Sequence, residues 1–161
     1  MKSLTLMRHG KSSWDFEVRD KDRPLQERGV NDAILVAQTV KVNLTTPDII
    51  FSSPAARALH TCMIFVRESK LDLSKVKITE ELYDFDGDSV ITFLKSLDER
   101  YKNVMIFGHN HAFTSISNIF GNKSIDNLPT AGLVTLHFDV EKWSDIKQGT
   151  TEKIIFPKQL K

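Results

Sequence analysis

The fold is decided by the stretch LTLMRHG, residues Leu4 to Gly10. Its first four residues form a short apolar run of the length that buried strands have. A cation, an imidazole and a glycine follow at once, so the predicted strand ends at polar side chains. Five more runs of this kind predict further strands, at Ile49 to Phe51, Val76 to Thr79, Val104 to Phe107, Leu133 to Phe138 and Ile154 to Phe156.

Amphipathic stretches with helical spacing lie between these runs. Four of them predict helices, over about residues 33–40, 55–70, 88–97 and 112–120. We expect Asp88 to be the N-cap of the third helix, and the fourth helix to stop at Gly121. Strands that alternate with helices favour an α/β sandwich around a largely parallel sheet.

Composition limits the classes of function. The 161 residues are of a length typical of one domain, which we expect to span residues 1–161. The 22 Lys and Arg nearly balance the 21 Asp and Glu, which argues against a nonspecific nucleic-acid or anionic-membrane binder. The single cysteine, Cys62, favours a reducing compartment, and no apolar run is long enough to span a bilayer. The apolar run at Leu4 is broken by Arg8 and His9, unlike a signal peptide, so we expect a cytoplasmic protein.

Three predicted strands end at residues that bind anions. Ligands of open α/β sheets bind beyond the carboxyl ends of the strands. The first strand ends at Arg8 and His9, the second leads to Arg57, and the strand at residues 104–107 leads to His109. Together these groups describe a pocket for a small multivalent anion, most simply a phosphoryl group.

The same residues resemble the motifs of a known family. Arg8-His9-Gly10, followed by Ser12 and Trp14, resembles the signature of the histidine phosphatase superfamily, which has the phosphoglycerate-mutase-like fold. The stretch from Ser52 to Thr61 resembles the second motif of that family, Ser-Pro followed by Arg and then Thr. Gly108-His109 resembles the third motif.

Two further segments resemble one branch of this superfamily, the short SixA-type phosphohistidine phosphatases. They are Arg23-Pro24-Leu25 with Gly29, and Leu128-Pro129-Thr130. The whole resemblance spans roughly Leu4 to Phe138. It implies a three-layer α/β sandwich, with helices on both faces of a mostly parallel sheet.

The resemblance also implies roles for individual residues. His9 would be the nucleophile that receives the phosphoryl group, and it must be neutral to attack. Arg8, Arg23 and Arg57 would hold the phosphoryl oxygens through charge-assisted hydrogen bonds. His109 would be a further donor that stabilises charge on the transferred group. No metal or other cofactor is expected, because the arginines supply the positive charge.

Two assignments stay open at this point. In much of the superfamily a Glu lies shortly after a Leu between the second and third motifs, and the resemblance, counted from Leu82, implies Asp84 as the candidate proton donor. Glu81 is its competitor, and a helix-leading surface carboxylate is the other interpretation of Asp84. His109 and His111 form a His-x-His pair that could ligate a transition metal, although no nearby cysteine or carboxylate pair completes such a site.

The predicted function is a metal-independent phosphatase that dephosphorylates phosphohistidine on a protein. Residues 58–108 must supply a helix, a strand and another helix, so little remains for a lid and the site should be open to a protein side chain. Imidazole also leaves more easily than an alkoxide, so a proton donor matters less. The alternatives are a phosphatase or mutase acting on a small phosphomonoester, and a non-catalytic phosphoprotein-binding module.

Overall fold

A six-stranded sheet forms the centre of the molecule. The computed structural model describes the whole chain, from Met1 to Lys161. The strands are β1 (Lys2–Arg8), β2 (Ile49–Ser52), β3 (Val76–Ile78), β4 (Asn103–Gly108), β5 (Leu133–Phe138) and β6 (Thr150–Ile155). Each strand overlaps one of the predicted apolar runs, so all six predictions are confirmed.

The sheet is mostly parallel, as predicted. Its strand order is β3-β2-β4-β1-β5-β6, and the pairs β1–β4, β2–β4 and β2–β3 are parallel. The exception is β5, which is antiparallel to both of its neighbours, β1 and β6. Residues 122–132 carry the chain back to the carboxyl edge of β1 before β5 begins, where the backbone N–H of Ala131 donates to the carbonyl of His9. The strands β1, β2 and β4 therefore end together at one edge.

Four α-helices cover the two faces of the sheet: α1 (Glu27–Val40), α2 (Ala56–Glu68), α3 (Asp88–Lys95) and α4 (Ala112–Phe120). The apolar faces of α1 and α2 share one core with Met7 of β1, whereas those of α3 and α4 share the other core with Leu6. Adjacent strand residues face opposite sides of a sheet, so β1 serves both cores. The three-layer α/β arrangement is confirmed. None of the helices combines the length and the apolar character that crossing a lipid bilayer requires.

The start of α3 differs from the prediction. Asp88 is the first residue of the helix rather than its N-cap, which is Gly87 with a φ of 111°. Glycine adopts this left-handed conformation without steric cost. The capping carboxylate is that of Asp84, whose Oδ2 accepts hydrogen bonds from the backbone N–H groups of Gly87 and Val90 at 3.2 and 3.0 Å. The helix also ends before Leu97.

Candidate active site

A cleft of about 300 Å³ opens at the carboxyl edge of the sheet. Its wall includes Arg8 and His9 at the end of β1, Arg57 in the first turn of α2, and Arg23 from the loop between β1 and α1. Four predicted site residues therefore share one cavity. His109, which follows β4, lies beside them, with its ring centroid 5.3 Å from that of His9.

The imidazole of His9 is held in one tautomer. Its Nδ1 lies 2.7 Å from the carbonyl oxygen of Gly10, which can only accept, so Nδ1 carries the proton and Nε2 bears the lone pair. The side chain is only 7% exposed. Burial lowers the pKa of His9 to about 3, and the three neighbouring arginines act in the same direction, against the opposing effect of the Gly10 hydrogen bond. The ring is therefore neutral at physiological pH.

Close backbone contacts hold the segment that follows β1. A Cβ atom at Gly10 would lie 2.6 Å from the carbonyl oxygen of Gly29, the third residue of α1, so only glycine permits this approach. The backbone N–H of Gly10 donates to Thr61 Oγ1 at 3.0 Å, and the Thr61 hydroxyl donates to the carbonyl of Arg57 at 2.7 Å. These hydrogen bonds join the first motif to the second.

Arg8 and Arg57 are anchored in the same way. In each guanidinium, Nη1 donates to a backbone carbonyl, that of Leu128 at 2.9 Å for Arg8 and that of Asp20 at 2.6 Å for Arg57. In each, the buried Nε has no hydrogen-bond partner in the protein. The Nε–Nη2 edge of a guanidinium can bind two oxygens of a phosphoryl group. Anchoring through Nη1 fixes each guanidinium and leaves its Nε free, although Nη2 of Arg57 also bonds Asp20.

A carboxylate that the sequence analysis missed lies among the arginines. Asp20 Oδ2 accepts hydrogen bonds from Arg57 Nη2 at 2.8 Å and from the Tyr83 hydroxyl at 2.6 Å. Its Oδ1 accepts one from Arg23 Nη1 at 3.1 Å. Burial raises the pKa of Asp20, but these three hydrogen bonds outweigh burial and hold the pKa below its ordinary value. The carboxylate is therefore ionised and neutralises part of the positive charge of the cleft.

His109 is fully buried behind His9 rather than exposed on the cleft wall. Its Nε2 lies 2.8 Å from the hydroxyl of Ser53, which follows β2, while its Nδ1 has no hydrogen-bond partner in the protein. The rings of Tyr83 and Phe85 pack against it at centroid distances of 5.4 and 5.0 Å. Burial, together with the neighbouring His9, lowers the pKa of His109 to about 3. This imidazole is also neutral.

The candidate proton donors are not brought to the cleft. The carboxylate of Asp84 accepts hydrogen bonds from three backbone N–H groups at the start of α3, at 3.0 to 3.3 Å. Burial raises the pKa of Asp84, but these hydrogen bonds lower it more, so the net shift is downward. Glu81 is exposed and accepts a hydrogen bond from the hydroxyl of Thr79. The structure favours the second interpretation of Asp84, a carboxylate that begins a helix.

The remaining histidine and cysteine candidates lie in unlike environments. His111 is exposed at the start of α4, whereas its neighbour His109 is buried. No group of three or more His, Cys, Asp or Glu side chains is arranged to hold a metal ion. Cys62 is buried on α2, and burial raises the pKa of its thiol to about 12. The thiol is therefore protonated and packed in the core.

Exposed apolar side chains lie in the cleft wall and in the loop that contains Trp14. Trp14 and Phe85 line the cleft, and Phe16 and Val18 follow Trp14 in the same loop. These four residues, here called the apolar rim, are between 45% and 75% exposed. The Trp14 ring also stacks on the guanidinium of Arg23, with Cζ 3.2 Å from the ring centroid. Apolar side chains clustered in this way are typical of a surface that contacts another molecule.

Known proteins are similar to this chain in sequence and in architecture. The family model of the histidine phosphatase superfamily (branch 1) matches residues 4–90, more than half of the chain. The chain belongs to the histidine phosphatase superfamily. It is accordingly a phosphatase, a hydrolase.

Two relatives of this histidine phosphatase cover nearly the whole chain. An uncharacterized protein of Mycobacterium tuberculosis is 24% identical over 160 residues, which cover 93% of this chain and 98% of the relative. An uncharacterized chloroplastic protein of Arabidopsis thaliana is 29% identical over 154 residues, covering 88% of this chain and 69% of the relative.

Solved structures support the predicted branch of the superfamily. SixA from Agrobacterium tumefaciens superposes with a TM-score of 0.74 at 27% identity, covering 85% of this chain and 92% of that one. The protein histidine phosphatase SixA complexed with tungstate has a TM-score of 0.82 at 23% identity, with 99% of each chain covered. The predicted resemblance to the SixA-type branch is confirmed.

Two residues of this histidine phosphatase cleft escaped the sequence analysis. Asp20 lies three positions before Arg23, and an opposite charge at that spacing is a weak signal in a charged loop. Tyr83 is 63 positions away from its partner Asp20, and no local pattern connects the two.

Proposed function

We propose that this phosphatase removes the phosphoryl group from phosphohistidine in proteins, through a phosphohistidine intermediate on His9. The observation that carries the proposal is the convergence of Arg8, Arg23 and Arg57 on one open cleft around a neutral imidazole. Phosphoryl transfer requires a nucleophile in line with the leaving group and positive donors around the equatorial oxygens. In this proposal His9 is the nucleophile, and the three arginines are the positive donors.

Nε2 of His9 is the proposed nucleophile. Its lone pair forms a bond to phosphorus while the P–N bond of the substrate breaks. The electron pair of that bond stays with the substrate ring, which leaves as neutral imidazole because its other nitrogen already carries a proton. Water then attacks phospho-His9, releases orthophosphate and restores the free imidazole. An imidazole has a pKa near 6.5 and leaves readily, which suits a cleft to which neither Asp84 nor Glu81 is brought.

The arginines stabilise the transferred group. The Nε–Nη2 edges of Arg8 and Arg57 bind its equatorial oxygens, and each edge includes a buried Nε without a partner in the protein. Buried donors are rarely left unpaired, so these atoms indicate a ligand site. Arg23 adds positive charge to the same cleft. The role of His109 as a further donor stays a prediction, since its Nδ1 has no partner in the protein but the ring is buried behind His9. Side-chain cations therefore supply the positive charge, and no step calls for a metal ion or another cofactor.

The shape of the cleft favours a protein substrate. The segment between Arg57 and His109 is used by α2, β3 and α3, and it contains no long insertion that could cover the cleft. A small metabolite generally needs enclosure to gain affinity, whereas a protein brings its own contact surface. The apolar rim provides the complementary contacts around the reacting group. We further propose that residues 1–161 act as a single domain.

The test is a rapid-mix experiment with a protein that carries phosphohistidine. The mixture is quenched at alkaline pH, where phosphohistidine is stable, and analysed by mass spectrometry. We expect phosphate on His9, release of orthophosphate, and neither in His9→Ala, while a control variant at the exposed His60 behaves as wild type.

Other outcomes separate the alternatives. Phosphate on Cys62 or Ser53 would contradict the proposed nucleophile. Turnover of small phosphate esters with none of the phosphoprotein would favour a small-molecule phosphatase or a mutase. Tight binding of the phosphoprotein without release of orthophosphate would favour a binding module.

A further inference from the structure

Asp20 occupies hydrogen-bond donors that the substrate needs. Its carboxylate takes Nη2 of Arg57 and Nη1 of Arg23, and the Tyr83 hydroxyl holds it there. Three of the five N–H groups of Arg23 already bond the protein, since its Nε bonds the carbonyl of Ser13 and its Nη2 bonds another loop atom. In this arrangement one carboxylate of the protein itself is paired with two cations of the cleft and neutralises part of their charge.

Arg8 and Arg57 are anchored in the same way, but only Arg57 also bonds the carboxylate of Asp20. The Nη1 of each is tied to a backbone carbonyl, and the Nε of each has no partner. In Arg57, however, the Nη2 atom on the same edge as Nε bonds the Asp20 carboxylate. One of the two N–H groups of Nη2 is therefore taken by an anion that resembles a phosphoryl oxygen in charge and in hydrogen bonding.

We infer that Asp20 is a displaceable counter-ion of the phosphoryl site. The inference rests on the proposed function: the phosphoryl group takes over Arg57 Nη2 and Arg23 Nη1 as the carboxylate rotates away. The backbone does not have to move, because the carbonyl oxygen of Asp20 bonds Arg57 Nη1 independently of the side chain. The side chain has room to leave, since it is 41% exposed.

The consequence of this exchange is a low affinity for free phosphate. Every anion that enters must compete with a carboxylate already bound to the same donors, so part of its binding energy is spent on the displacement. A phosphoprotein compensates through its contacts with the apolar rim, whereas orthophosphate has no such contacts. Asp20 therefore favours product release, and it discriminates against small phosphate anions.

Calorimetric titration with orthophosphate tests the inference without any need for turnover. Asp20→Asn removes the charge and keeps a side chain of nearly the same shape. We expect it to bind orthophosphate at least about tenfold more tightly than wild type, the equilibrium effect of one charge-assisted hydrogen bond. Tyr83→Phe, which removes the hydroxyl that holds the carboxylate, should tighten binding by a smaller factor.

The matched control is Asp22→Asn. Asp22 lies two positions from Asp20 in the same short turn, but its carboxylate bonds only the exposed Arg19. Its replacement removes the same charge from the loop and should change the affinity by less than about twofold, because exposed charges are screened.

The direction of the change in orthophosphate affinity distinguishes a displaceable counter-ion from a positioning residue. If Asp20 only held Arg23 and Arg57 in position, both the Asn and the Phe variants would bind orthophosphate as wild type does or more weakly, and the inference would be overturned. Equal tightening by Asp22→Asn would attribute the effect to net charge and would also overturn it. If orthophosphate does not bind to wild type or to any variant, the proposed phosphoryl site itself is at fault, which distinguishes the two failures.

Discussion

Acidification from pH 7.5 to 5.5 should destabilise this protein through its two buried imidazoles. In an unfolded chain a histidine has a pKa of about 6.5. In the folded protein, burial and neighbouring positive groups lower the pKa of His9 and of His109 to about 3. Between these two values the unfolded chain binds more protons than the folded one, so the free energy of unfolding falls as the pH falls.

The expected magnitude follows from the size of the shift. At pH 5.5, one unit below the unfolded pKa, the unfolded chain gains a proton on each histidine while the folded imidazole stays neutral. Each such histidine therefore lowers the free energy of unfolding by about 1.4 kcal/mol. His9 and His109 together should therefore lower the free energy of unfolding by about 3 kcal/mol at pH 5.5. This stability is fully present above about pH 6.5 and is lost progressively as the pH falls towards the folded pKa values.

Denaturant unfolding followed by circular dichroism, in steps of half a pH unit, measures the effect. His9→Asn removes the titrating ring and keeps an amide that can donate to the Gly10 carbonyl. We expect this variant to lose about half of the acid-induced destabilisation, or about 1.4 kcal/mol between pH 7.5 and 5.5. His60→Asn, which replaces an exposed imidazole on α2, should follow the wild-type curve.

An identical pH dependence in wild type and His9→Asn would refute this reasoning. It would mean that the folded protein protonates His9 as readily as the unfolded chain does. The neutral nucleophile of the proposed mechanism would then be the minor form of His9 near pH 6, because a pKa of about 6.5 leaves most of the imidazole protonated there.

Three further variants test the proposed roles. Arg57→Lys should lower kcat/KM by about 10²-fold with little change in Tm, because a lysine cannot present two donors on one edge; a large drop in Tm would make Arg57 a structural residue. Asp84→Asn should lower the free energy of unfolding by about 1 kcal/mol through the weakened helix cap and change hydrolysis of an alkyl phosphate by less than about twofold. A strong loss of activity on the alkyl phosphate, without a similar loss on phosphohistidine, would support Asp84 as the proton donor. Phe16→Ser should lower kcat/KM about tenfold on a phosphohistidine protein and not on free phosphohistidine, whereas Val42→Ser, also at an exposed apolar position, should affect neither.

The elements of this fold are visible in the sequence because their signals are local. Strands 3 to 7 residues long and amphipathic helices produce patterns within a short window, so every predicted strand and helix is present. The boundaries are less accurate. The cap of α3 was assigned to Asp88 because an acidic residue normally caps a helix with its own side chain, whereas Asp84 reaches the helix from outside it.

The principal residues of the cleft were also predictable. In a parallel sheet the ends of β1, β2 and β4 must meet, so polar residues placed directly after them converge without knowledge of any side-chain contact. Arg57 carried a second signal, since a cation in the first turn of a helix opposes the helix dipole and needs a compensating anion.

What the sequence alone determined, then, is which elements form and which motif residues share an edge. Only the tertiary structure decided that Asp20 neutralises the arginines, that Tyr83 holds it there, and that His109 lies behind His9. The bond between Asp20 and Arg57 joins residues 37 positions apart, and the bond between Asp20 and Tyr83 joins residues 63 apart. Such pairings depend on the path that a loop takes over the folded surface. That path is set by the packing of the whole molecule and by no local pattern of residues.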